Sequence, residues 1–218
     1  MNIGRSNLQP IPKPNKEKGP LKNLRPINLL NSSRKLFSLI TLNRIQDKVL
    51  EYISLSQAAY KPKRSTGDIV WAHRFITAKS QLYQNQQAYV IGIDMSSAFD
   101  TINRQNLLDE LATFLDEDEC RMARLLLSDA SINILFEETD EEFMKTNVGS
   151  PQGDAISGTF FNAALEKSLR KLREQINSLK PEIEHCYTKK SNLPDELIYA
   201  DDSDFVTKDK HLREFIKS

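Results

Sequence analysis

The sequence predicts an α+β fold, with an antiparallel sheet packed on helices and two lobes of opposite charge. Three observations carry this expectation. Apolar residues recur at helical spacing in four long segments, and short β-prone runs separate them. Charge, third, is divided along the chain: residues 1–64 hold 13 Lys and Arg against three acids, whereas the remainder holds 17 against 27. The formal net charge of zero therefore conceals a basic lobe suited to phosphate and an acidic lobe suited to metal ions.

A length of 218 residues suffices for one large domain or two small lobes sharing a core. Charged residues make up 28% and hydrophobic ones 39%, an ordinary soluble mixture. No apolar run reaches the roughly 18 residues a membrane span needs, and the N-terminus lacks an apolar signal-peptide core. The expected compartment is the nucleus or the cytoplasm. Cys120 and Cys186 have no paired spacing, and His73, His185 and His211 are scattered, so neither a disulfide framework nor a zinc cluster is expected.

In chain order, residues 10–26 are rich in proline (Pro10, Pro12, Pro14, Pro20, Pro26) and predict short strands with a turn near Lys18-Gly19. Residues 31–52 predict a helix capped by Asn31 or Ser32, with Leu36, Ile40 and Ile45 on one face. Residues 65–85 predict a second helix, with Trp71, Phe75 and Ala78 at helical spacing and Trp71 in the core. Residues 88–95 form a compact β-prone run, expected to be a buried central strand that delivers Asp94 at its end. Residues 104–127 read as helix interrupted by the acidic turn at 116–119, and residues 131–148 as a hairpin bending at 137–142. An amphipathic helix over 158–179 carries Phe161, Ala164, Leu165, Leu169 and Leu172. A loop over 181–195 then leads to two short strands around Ala200-Asp201-Asp202.

The chemistry concentrates in three places. Tyr199-Ala200-Asp201-Asp202 sets two adjacent carboxylates on a tight hairpin between apolar strands. Like charges about 4 Å apart repel by roughly 4 kcal/mol at an effective dielectric of 20. A divalent cation relieves that repulsion, and Mg²⁺ accepts one or two carboxylates together with phosphate oxygens. Asp94 ends an apolar strand, where a carboxylate calls for a partner that a metal shared with Asp201 would supply. Asp100, six positions on, is expected to cap the next helix or pair locally. The third place is Gly149-Ser150-Pro151-Gln152-Gly153-Asp154, whose glycines let backbone approach a ligand and whose neutral Gln152 can touch a nucleotide without reading its base.

Taken in this order, the three elements resemble the palm motifs of reverse transcriptases: the aspartate-bearing strand followed by an aromatic, the Pro-Gln-Gly loop and the Tyr-x-Asp-Asp hairpin. Upstream, Leu24-Arg25-Pro26-Ile27 with Lys35 and Arg44, and then residues 57–68 (Gln-Ala-Ala-Tyr-Lys-Pro-Lys-Arg-Ser-Thr-Gly-Asp), resemble fingers segments of the non-LTR retrotransposon and group II intron branch. Ala200 in the hairpin and Asp154 after Gln152-Gly153 favour that branch over the retroviral one. The resemblance covers about residues 10–207. Three departures touch loops: Ala59 and Lys63 stand where glycines are usual, and Ala155 where proline often follows Gln-Gly-Asp.

The resemblance implies a right-hand polymerase, with fingers over residues 1–85, contacting template and nucleotide, and a palm over 86–218. It implies RNA-directed DNA polymerisation with two Mg²⁺ ions, replaceable by Mn²⁺, held by Asp94, Asp201 and Asp202. Phe99 would be the steric gate against a ribose 2′-OH. Gln152, with Gly153 and Tyr199, would line the nucleotide site, and Arg64 and Arg25 would face phosphate or template. Implied partners are an RNA template, a DNA or RNA primer and dNTPs, in a retrotransposon-like mobile element. An RNA-dependent RNA polymerase would resemble Gly-Asp-Asp at the hairpin and would select for the 2′-OH, so Tyr199-Ala200 and Phe99 argue against it. A non-catalytic scaffold descended from a polymerase would be expected to have lost the carboxylates, yet all three are present. No primer-grip hairpin or helical thumb is recognisable in the 16 residues after Asp202, so the expectation is a fingers-and-palm piece without endonuclease or RNase H domains.

Overall fold

The computed structural model describes residues 5–15, 17, 19–20, 23–82, 89–95, 97–128, 130–136, 140–178 and 196–207. The expected loop over 181–195 and the tip of the 131–148 hairpin lie outside them. The chain forms two compact units, each assembled from two segments: Met1–Tyr52 with Ser97–Ala164, and Ile53–Ser96 with Leu165–Ser218.

In the first unit, β1 (Arg5–Pro12) pairs antiparallel with β2 (Leu24–Leu30) from Ser6 opposite Leu30 to Pro12 opposite Leu24. At its start, Arg5–Asn7, β1 also pairs in parallel with β4 (Ser131–Phe136), which pairs antiparallel with β5 (Asp140–Lys145). The sheet order is therefore β2-β1-β4-β5. Pro10 and Pro12 fall beyond the β4 pairing, where β1 is an edge among the described residues and a missing N–H is tolerated. Gly19, with φ 120°, marks the bend expected between β1 and β2.

Helix α1 (Ser32–Tyr52) starts where the Arg34 N–H donates to Asn31 Oδ1 at 2.7 Å, the expected cap. Its buried face is Arg34, Ser38, Thr41, Ile45 and Val49. Of the expected apolar stripe only Ile45 is inside; Leu36 and Ile40 are 62% and 51% exposed. The face turned because Arg34 has a buried partner, described below, and small Ser38 and Thr41 are buried along the same side of the helix. Helices α3 (Arg104–Leu111) and α4 (Glu117–Leu127) add Leu107, Leu111, Ala123, Leu126 and Leu127 to this core. The acidic interruption is the N-terminus of α4: Asp116 accepts from the Glu119 N–H while Glu119 accepts from the Asp116 N–H, a reciprocal capping box. Glu119, 2% exposed, is paired with Lys48 at 2.6 Å.

In the second unit the sheet is β3 (Tyr89–Asp94), β7 (Asp202–Thr207) and β6 (Glu196–Tyr199), all antiparallel, in the order β3-β7-β6. β3 is thus an edge strand among the described residues, not the buried central strand expected. Val90 is 45% exposed, and the central place belongs to β7 with Phe205 and Val206. Apolar content could not distinguish the two, because strand order is decided by partners about a hundred residues away. Helix α2 (Thr66–Leu82) packs Ile69, Ala72 and Ile76 against Leu197 and Val206. Trp71, expected in the core, lies on the opposite face and is 66% exposed. Helix α5 (Ser157–Ser178) begins in the first unit and ends in the second, where Arg173 ties it to Glu196 of β6 at 2.7 Å and to Glu166 at 2.6 Å. Those two carboxylates hold the Arg173 guanidinium above even its usual high pKa. Among the described residues no helix is long and apolar enough to cross a membrane.

Candidate active site

The β3–β7 register determines where the acids stand. Asp94 is directly opposite Asp202, and two residues along Gly92 is opposite Asp204. Side chains alternate along a strand, so Asp94, Asp202 and Asp204 project from one face of the sheet. Asp201 sits in the two-residue turn between β6 and β7. Directly paired like charges are destabilising unless something compensates them. The field is visible at Asp202: partial desolvation first, then the charges of Asp201, Asp94 and Asp204, raise its carboxyl above the ordinary value. Asp94 itself is exposed, so burial does not create its demand for a partner; the opposing aspartate does.

Asp204 was not foreseen. Its signal was period-two spacing from Asp202, and Gly92 makes room for it: a Cβ on Gly92 would lie 3.1 Å from Asp204 Oδ1. A second unforeseen residue shapes the turn. Gln57, 2% exposed, bridges to Ile198 and receives the Ala200 N–H on Oε1 at 3.0 Å and the Ala59 N–H at 2.9 Å. Ala200 is held at φ 56°, a left-handed conformation unusual for a residue with a Cβ. The buried amide thus fixes the conformation that presents Asp201 and Asp202. Tyr60 lies close enough to Asp201 and Tyr199 that their charges, after burial, raise its hydroxyl pKa.

The donor set is entirely carboxylate oxygen, which suits a hard divalent cation. The described residues do not draw three His, Cys, Asp or Glu side chains into a closed ligand cluster. Mg²⁺ keeps waters and completes its octahedron with substrate phosphates, so one or two protein carboxylates are enough to hold it. On donor chemistry and on the uncompensated repulsion at Asp202, the residues fit such an ion.

The first unit holds a second group. The Ser150 N–H donates to the Phe99 carbonyl at 2.9 Å and the Gly149 N–H to that of Ile102 at 2.8 Å, joining the Gly149–Asp154 loop to the segment after β3. Gly149, at φ 78°, is required here, since a Cβ would meet the Asp100 carbonyl oxygen at 2.7 Å. Gly153, at φ 106°, approaches Asn28, whose N–H donates to the Gln152 carbonyl at 2.9 Å. The Phe99 ring stacks on Phe161, with centroids 4.5 Å apart. Asp100 neither caps a helix nor pairs locally. Asn103 caps α3, and Asp100 accepts from Gln152 Nε2 at 2.9 and 3.0 Å across 52 residues. The carboxylate thereby orients the amide and leaves a second N–H and the carbonyl oxygen for other partners.

Two arginines anchor the same loop. The Arg34 guanidinium meets Asp154 at 3.1 Å, both side chains 1% exposed, and also donates to the Leu126 carbonyl at 2.7 Å. Arg104 donates to the carbonyls of Gly149 at 2.7 Å, Leu127 and Val148 at 3.0 Å, and Thr146. Of the expected phosphate contacts, Arg25 is exposed on β2 opposite Ile11. Arg64 is exposed in a turn in which its N–H reaches the Lys61 carbonyl. Lys63, standing where the resemblance places glycine, adopts φ 60° and so keeps the left-handed geometry.

A family model for the reverse transcriptase (RNA-dependent DNA polymerase) domain matches residues 11–215. Solved structures agree in fold. Apo telomerase from Candida tropicalis, truncated from its C-terminal domain, superposes with a TM-score of 0.68 at 17% identity, covering 99% of this chain and 46% of its own. Telomerase from Candida tropicalis with a TWJ fragment of telomeric RNA gives 0.66 at 15%, covering 99% and 38%. Telomerase from Candida albicans with the same kind of fragment gives 0.65 at 11%, covering 100% and 38%. The chain therefore spans less than half the length of each of these structures.

Proposed function

Because the chain belongs to the reverse transcriptase (RNA-dependent DNA polymerase) family, matched over residues 11–215, we propose that it carries the nucleotidyl-transfer core of an RNA-directed DNA polymerase. The reaction adds a deoxynucleotide to a primer 3′-OH opposite an RNA template, in the setting of a retrotransposon-like mobile element. The observation that carries the reading is the strand register that sets Asp94 against Asp202, with Asp201 in the adjoining turn. Residues 1–85 serve as fingers and 86–218 as palm. RNA as the polymer bound is in keeping with the telomerase structures that hold an RNA fragment.

Asp94, Asp201 and Asp202 would hold two Mg²⁺ ions, or Mn²⁺. When bound, these supply neutralisation of triphosphate charge and a lowered pKa for the primer hydroxyl. The remaining work falls to the chain. Gln57 holds the turn conformation from which Asp201 and Asp202 point. Gln152, oriented by Asp100, offers a neutral amide that contacts nucleotide without reading its base, and Gly153 permits close backbone approach beside it. Tyr199 flanks the paired acids. The Phe99 ring, braced by Phe161, excludes a 2′-OH by overlap, while Arg25 and Arg64 offset phosphate charge.

The test is extension of a primer on an RNA template in Mg²⁺ with separate dNTP and rNTP pools. Wild type is expected to incorporate dNTPs, and Asp94→Asn or Asp201→Asn to lose about 100-fold or more of the rate, or about 2.7 kcal/mol of transition-state stabilisation. Phe99→Val is expected to raise rNTP use relative to dNTP. Undiminished incorporation by both aspartate variants would remove the carboxylates from the mechanism.

A further inference from the structure

Helix α2 has two faces of different character. Ile69, Ala72 and Ile76 close onto the sheet, while Val70, Trp71 and Phe75 are 50%, 66% and 42% exposed on the other side. The two rings are parallel, with centroids 5.5 Å apart and planes 13° from each other. Lys79 places its ammonium 5.9 Å from the Phe75 centroid, and exposed Arg74 lies on the same face, three residues past Trp71. The one acid of the helix, Asp68, is already bonded to the Ser65 N–H at its start. Leaving this much of a tryptophan and a phenylalanine in water forgoes the stabilisation that burying them would give.

We propose that the Trp71–Phe75 face of α2 is a stacking platform for single-stranded RNA. A partner for parallel rings interleaved with cations must present planar π-faces and negative charge together. A nucleotide chain does both, because every base has a stacking face and every linkage a phosphate. An apolar protein surface would gain nothing from Arg74 and Lys79 among the rings, and an acidic one nothing from the indole. Exposed Lys63 and Arg64 precede the same helix in the chain and add cations near its start. The contact rests on the reading of the chain as a nucleic-acid polymerase. It adds a site that grips unpaired strand apart from the carboxylates, through bases and without sequence preference.

Trp71 is the only tryptophan in the sequence, so its emission reports on this face alone. The probe is a fluorescein-labelled oligouridylate of about 20 nucleotides, with anisotropy and Trp71 quenching read in one titration. Quenching is expected to saturate together with anisotropy. Trp71→Ala/Phe75→Ala is expected to weaken binding by about tenfold or more at unchanged salt slope, because stacking and not phosphate contact is lost. Circular dichroism keeps the comparison between folded proteins. Wild-type binding with unchanged Trp71 emission, or equal affinity in the double variant, overturns the platform and leaves the polymerase reading standing. No binding by wild type overturns the platform and leaves the polymerase reading to the primer-extension test. RNA-free self-association that the double variant abolishes would mean that a second copy of the chain covers the face, and overturns the platform as well.

Discussion

Arg34→Leu would strip the cation from a carboxylate that is itself only 1% exposed. Breaking a buried pair by removing one partner typically costs about 3–5 kcal/mol, because the remaining charge keeps its desolvation penalty without its attraction. Among the described residues Asp154 Oδ1 has no hydrogen-bond partner, so the carboxylate has little in reserve. The expected outcome in urea denaturation is a loss of that size at unchanged m-value, with Arg34→Leu/Asp154→Leu recovering most of it. A single-variant loss below about 1 kcal/mol would mean that water reaches the pair. Nothing in the sequence announced this residue, since an arginine in a basic stretch reads as solvated surface. Its burial depends on an aspartate 120 positions away. The same holds for Asp100 and Gln152, whose pairing spans 52 residues and left no local trace.

Helix α4 is where the chain's acidic turn acquires a pH dependence. The Glu119 N–H bound to Asp116 holds that carboxyl below its ordinary value, against the opposing effect of desolvation and with Lys48 and Arg44 assisting. A carboxyl depressed in the folded chain contributes stability in full above its unfolded pKa of about 4, and loses it as pH falls through the lower, folded value. Asp116→Asn keeps an acceptor for the cap but cannot titrate, so thermal stability is expected to fall less steeply in acid than in wild type. Parallel acid profiles would show the charge to be immaterial to the helix. Elements of this kind were partly legible: a capping residue and periodicity placed the start of α1 and the β6–β7 hairpin within a few residues, whereas the acidic turn expected over 116–119 is the first turn of α4, with Asp116 as its cap. Which face each element buries was less so. Leu36, Ile40 and Trp71 obey helical spacing yet face water, because spacing gives a stripe and only partners decide whether it is covered.

At the scale of the whole chain, the uneven charge of the sequence makes a prediction about ionic strength. Binding to a primer–template is expected to weaken steeply with salt through counterion release. Lys61 is not the residue to remove, because its ammonium is half-buried and donates to the Ser54 carbonyl at 2.7 Å. Lys63→Gly, which suits φ 60°, together with Arg64→Ala is expected to lower the slope of log K against log[salt] by about two. An unchanged slope would place the phosphate contacts elsewhere. The three catalytic candidates were legible because paired acids between apolar strands have few structural uses. Gln57 and Asp204 were not, since their roles exist only once the strands are in register. That register also has a consequence in time. β3 has β7 as its strand partner among the described residues, and 108 positions separate Asp94 from Asp202. At about 5–20 residues per second, a ribosome needs roughly 5–20 s to make the second strand after finishing the first. For that interval Tyr89–Asp94 is a nascent edge with unsatisfied backbone, and whatever shields it during synthesis bears on how much of the protein folds at all.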